Sequence, residues 1–132
     1  MNQHEHTLIS AMLRHPGRHE VRVSGVAPEW MPDRTARAWF KILQIRPLSF
    51  KSAASFLTRG IKSDELRTLL LESIPGMEQS EESQDADIDY AAKAIADQAL
   101  QPHILARTRW ILELVNEKKI KKAGEISILL AS

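Results

Sequence analysis

Apolar residues recur three and four positions apart along nearly the whole chain, and proline and glycine cut the runs at short intervals. This rhythm is that of amphipathic helices joined by brief turns. Leu8, Ile9, Ala11 and Met12 set the period over 5–14. His15-Pro16-Gly17 then stops it, because proline drives the preceding residue out of the helical region and glycine permits a turn. Residues 18–25 read either as a short helix ending at Gly25 or, from the alternation of Val21, Val23 and Val26, as a strand.

Ala27 to Asp33 reads as a turn, with Asp33 as N-cap of a helix over 34–45. Its inner stripe is Ala36, Trp39, Phe40 and Leu43, and Arg46-Pro47 ends it. Ser49 caps a helix over 50–59 whose inner face is Ala53, Ala54 and Leu57, with Gly60 as its C′ glycine. Ser63 caps a helix over 64–74 that presents Leu66, Leu69, Leu70 and Ser73 on one face, and Pro75-Gly76 closes it. Residues 77–86 are polar and acidic and read as a surface loop.

Asp87 is placed to cap a long helix. In it Ile88, Ala92, Ile95 and Ala99 step by four, three and four. After Pro102 the stepping resumes with Ile104, Thr108, Ile111 and Val115. Proline removes a backbone donor and clashes one turn back, so the segment is one kinked helix or two helices. Lys118 to Gly124 reads as a turn, and Glu125 to Ala131 as a short final helix with Ile126, Leu129 and Leu130 apolar. The expected fold is all-α: a globular head of about five short helices over 5–86, then a helical hairpin over 87–132.

With 132 residues, 43% of them hydrophobic, the chain has enough apolar material for a real core. It has no cysteine, which excludes a disulfide framework and thiolate zinc sites and fits a reducing cytoplasm. There is no apolar run of membrane-spanning length, and Met1 to His6 lacks the basic-then-apolar design of a signal peptide. The expected location is therefore the cytoplasm. Net charge is +1, from 18 basic and 17 acidic residues, without the large basic excess usual in a domain built to grip phosphates.

The glycines at 17, 25, 60, 76 and 124 do not form GxxxxGK[ST], and GxGxxG, GxSxG and HExxH are also missing. No catalytic residue, cofactor or metal is expected. His15 and His19 are separated by a helix-breaking pair and read as solvated surface histidines. Glu78, Glu81, Glu82, Asp85, Asp87 and Asp89 lack calcium-loop spacing and read as a solvated, self-repelling stretch. Lys118, Lys119, Lys121 and Lys122 could meet nucleic-acid phosphates or an acidic protein. The stripe Ile104, Thr108, Ile111 and Val115 runs about 17 Å at 1.5 Å per residue, more than two turns of a final helix can cover. With Ile126, Leu129 and Leu130 it is the expected protein interface, serving self-association or a partner.

The order of these elements resembles the N-terminal domain of DnaB-family replicative helicases. The likeness rests on Glu5 to Pro16, on Glu29-Trp30 followed by Arg37 to Leu43, on Phe50 to Gly60, and on Asp87-Ile88-Asp89-Tyr90-Ala91-Ala92-Lys93-Ala94-Ile95. Asp87 stands where the family has Asn, Ala91 where it has a second Tyr, and Pro102 is an addition. The resemblance implies a helical head plus hairpin that assembles into a ring collar and receives primase or a helicase loader. It also implies an ATPase motor in the same polypeptide, of which this sequence carries no motif. The C-terminal helicase-binding region of bacterial primases shares the architecture and is the neighbouring reading. A nucleic-acid-binding accessory factor using Lys118–Lys122 is the third.

Overall fold

The computed structural model describes residues 1–116, apart from the side chains of 103–105 and 114–116. The fold is all-α, with no strand among the described residues. The helices are α1 (Gln3–Arg14), α2 (Glu20–Val23), α3 (Arg34–Ile45), α4 (Phe50–Gly60), α5 (Asp64–Glu78) and α6 (Asp85–Asn116). A single 3-10 turn, Pro28–Trp30, precedes α3. No helix among the described residues is long and apolar enough to cross a membrane. The expected final helix, with Ile126, Leu129 and Leu130, and the Lys118–Lys122 turn lie outside the described residues.

The helix starts are built from side-chain caps. Asn2 accepts from the Glu5 N–H at 2.9 Å, and the Glu5 carboxylate accepts from the Asn2 N–H at 3.0 Å, a reciprocal box. Glu5 is buried, and its second oxygen accepts from the Asp33 N–H at 3.2 Å. One carboxylate thereby holds the entrances of α1 and α3 together. Asp33 in turn accepts from the Ala36 N–H at 2.9 Å and pairs with the N-terminal ammonium at 3.2 Å. Ser49 and Ser63 cap α4 and α5 as their positions predict. Gly17 has φ of +84°, a conformation open to glycine, where the chain turns out of α1.

Two compact units divide the chain, Met1–Ala96 and a second that begins at Asp97. In the first, Leu8, Ile9 and Leu13 of α1 pack with Trp39, Phe40 and Leu43 of α3, joined by Leu57 of α4 and Leu70 of α5. Ile88, Ala92 and Ile95 belong to this same core. The division therefore falls after Ala96, not between 86 and 87, because the first turns of α6 bury their apolar side in the head.

Other expectations are decided between their alternatives or corrected. Residues 20–23 are helical, not a strand: Val23 and Val26, three apart, are buried, while Val21 is exposed. Ala54 is exposed, so Ala53 and Leu57 form the inner face of α4. Gly60 ends α4 without a positive φ, and the helix terminates at an extended Ile61. The α5 helix does not stop at Pro75-Gly76 but runs to Glu78. Its buried face is Leu70, Ile74 and Met77, and the last two lie on either side of the proline. Burial of that continued face outweighs one lost backbone hydrogen bond. The α6 helix starts at Asp85, and Asp87 sits in its first turn, its carboxylate accepting from the Gln84 N–H at 3.0 Å. Pro102 lies inside α6, which is one helix to Asn116.

Candidate functional site

The expected interface begins in the second unit. Of its stripe, Ile111 is buried and Thr108 is exposed; the side chains of Ile104 and Val115 are not among those described. Trp110 and Leu112, on either side of Ile111 in sequence, are 49% and 56% exposed, and Leu100 is exposed as well. Consecutive helical residues point 100° apart, so a buried centre at 111 carries an uncovered apolar flank on each side. The heptad spacing does not pick out Trp110 and Leu112, since neither falls on the stripe. Their signal is the unbroken apolar triplet Trp110-Ile111-Leu112 itself.

The acidic stretch is not self-repelling. The Arg14 guanidinium reaches from the end of α1 and donates to the Ser80 carbonyl at 2.9 Å and to those of Met77 and Glu81 at 3.2 Å. It thus adds a donor to the last turn of α5 at Met77 and supplies one to the Ser80 and Glu81 carbonyls just beyond it. Glu82 pairs with His15. Arg22 bridges Asp85 at 3.0 Å and Asp89 at 2.8 Å, and Arg18 approaches Asp85 at 3.6 Å. The residues that neutralise the acids, His15 just after α1, Arg18 in the turn that follows and Arg22 in α2, lie more than sixty positions away in sequence, so composition alone does not reveal them.

His19 departs from its expectation too. It is buried, its ring centroid is 6.1 Å from that of His15, and its Nδ1 has no hydrogen-bond partner. Burial pushes its pKa down, and the Arg18 charge adds to this, against an opposing pull from Asp85. Hydrogen bonding and attraction from His15 hold the Glu82 carboxyl below its ordinary range. No group of three His, Asp or Glu side chains among the described residues converges as metal ligands do.

A polar cleft of about 560 Å³ lies between α1 and the start of α6. His4, Ser10, Glu81, Asp87 and Tyr90 line it. The His4 and Tyr90 ring centroids are 5.7 Å apart, and Tyr90 is 67% exposed. Ser10 Oγ is buried without a hydrogen-bond partner, so no general base touches it.

The opposite charge collects in the middle of the chain. Residues 34–62 hold Arg34, Arg37, Lys41, Arg46, Lys51, Arg59 and Lys62 and not one Asp or Glu. A near-zero net charge over the full chain conceals this segregation. Arg34 pairs with Glu65 at 2.8 Å, and Arg37 donates to the Met31 and Pro32 carbonyls. Lys41, Lys51, Arg59 and Lys62 have no carboxylate partner among the described residues.

No family model, no curated protein and no solved structure matches this chain.

Proposed function

We propose that this chain is a non-catalytic interaction and assembly domain, of the kind that stands at the N-terminus of DnaB-family replicative helicases, and that it docks primase or a helicase loader. The observation that carries the reading is the exposed apolar pair Trp110 and Leu112 beside a buried Ile111. A large aromatic and a leucine left in water on one helix favour association with a second apolar surface. The helical head supports the same reading. Its α1, α3, α4 and the start of α6 occur in the order on which the resemblance rests.

The experiment is sedimentation velocity across a range of micromolar concentrations, alone and with a bacterial primase or helicase. Dimers or larger assemblies are expected. Replacing the exposed Leu112 with Asp should return the protein to monomer with its helicity retained. Ile111 is the poorer probe, because it is buried and its loss would unfold its own unit. A strictly monomeric protein that engages neither partner would sink the proposal.

A further inference from the structure

The exposed faces of α3 and α4 form a second, cationic surface. On α3, Arg34, Arg37, Lys41 and Ile45 fall within one arc of the helix at positions i, i+3, i+7 and i+11. Ile45 is 87% exposed. On α4, Lys51, Ser55 and Arg59 recur every fourth residue. Two clefts border these stripes. One, of about 310 Å³, is lined by Arg34, Arg37, Lys41, Ile42 and Ile61. The other, of about 340 Å³, is lined by Arg46, Ser55, Phe56, Arg59 and Gly60. They meet the chain at consecutive residues, Gly60 and Ile61, at the end of α4. The Arg46 guanidinium lies over the Phe56 ring, 5.8 Å from its centroid, which fixes the arginine without neutralising it.

We propose that this α3–α4 surface binds the phosphodiester backbone of a nucleic acid, one strand passing the end of α4 with phosphates in both clefts. Three observations favour that occupant. The cations are repeated along two helices and shared between two clefts, which suits a regularly repeated anion better than one isolated carboxylate. Arg34 and Arg37 of the first cleft are held by Glu65 and by the Met31 and Pro32 carbonyls. Lys41 beside them, and Arg46 and Arg59 of the second cleft, have no carboxylate partner among the described residues, and a guanidinium matches phosphate oxygens in geometry as well as charge. A second copy of this chain is the weaker partner, because its acidic stretch already spends Glu82, Asp85 and Asp89 on His15, Arg18 and Arg22. None of the residues of the α3–α4 surface is among Leu100, Trp110 and Leu112 or among Lys118–Lys122.

The test is fluorescence anisotropy with a labelled oligothymidylate and with a duplex of equal length, titrated by the full chain over a salt series. Binding should weaken linearly on a log–log plot, with a slope of about 0.7 per phosphate neutralised on a single strand. The double variant Arg46→Ala/Arg59→Ala should weaken binding at least about tenfold and lower the single-strand slope by about 0.7 per lost contact. Lys41→Glu should act in the same direction, and Lys93→Ala on α6 should change nothing. All four positions are exposed, and circular dichroism checks that each variant keeps its helices. No binding to either oligonucleotide at low salt would overturn the proposal. So would equal binding to polyglutamate of matched charge, which would mark an acidic protein as the occupant. Loss of binding in a Lys118, Lys119, Lys121 and Lys122 to Ala variant, with the α3–α4 variants unaffected, would overturn it as well.

Discussion

Arg14 ties three helices of this protein together. Its guanidinium serves three carbonyls around the end of α5 and lies 5.9 Å from the Phe50 ring centroid at the start of α4. The side chain belongs to α1, so its removal loosens three helices at once. Arg14→Ala leaves the Ser80 and Glu81 carbonyls without this donor, while Met77 keeps that of the Ser80 hydroxyl, and it removes a cation from the negative end of α5. Hydrogen bonds to a charged group contribute about 1.5–3 kcal/mol, and a loss in that range is expected by urea denaturation. Arg14→Lys should recover only part of it, since an ammonium has no planar fork to span separate carbonyls. A lysine variant as stable as the parent would show that charge alone matters here. The hydrogen bond from Trp39 Nε1 to Ser73 Oγ at 2.8 Å is the same kind of device inside the core, where α3 meets α5.

The α5 helix shows where local punctuation yields to packing. Pro75 cannot donate to the carbonyl one turn back, yet the helix continues because Ile74 and Met77 are buried. Pro75→Ala restores the missing donor at an exposed position. An internal proline costs about 3 kcal/mol, and freeing the unfolded chain returns part of that, so a net gain of roughly 1–3 kcal/mol is expected. Thermal unfolding followed at 222 nm reads it directly, and an unchanged or lower midpoint would show that the proline is accommodated without cost. The stripe of α3 and the caps Asp33, Ser49 and Ser63 were legible in the sequence because they depend on neighbours three or four residues away. The course of α5 was not, because it depends on the burial of Ile74 and Met77 in the core, and neither was the pairing of the acidic stretch, because His15, Arg18 and Arg22 lie more than sixty positions away. The α3–α4 cations are legible as a run without acids over 34–62, but a near-zero net charge for the whole chain hides them.

These pairings also set how the molecule answers to pH. His19 is buried beside Arg18, Arg22 and His15, with Asp85 as its one opposing charge, and its pKa is lowered. The unfolded chain then takes up this proton more readily than the folded one. Stability from His19 is complete above the ordinary value of about 6.5 and declines as pH falls from there toward the lowered folded value. Asp33 behaves differently. Burial raises its pKa, but the Ala36 N–H, the N-terminal ammonium and the Thr35 N–H outweigh that and leave it lowered. The exposed Glu82 is lowered by His15. Carboxylates of this kind add stability above their unfolded pKa, and it is lost as pH falls through the lowered folded value. Acidification should therefore lower the melting temperature in two stages, one below about pH 6.5 and one below about pH 4. His19→Gln should flatten the first stage and leave the second, while Asp33→Asn should diminish the second and leave the first. A single acid transition, unchanged by His19→Gln, would mean that the imidazole is protonated in the folded protein and that the head opens there to admit water.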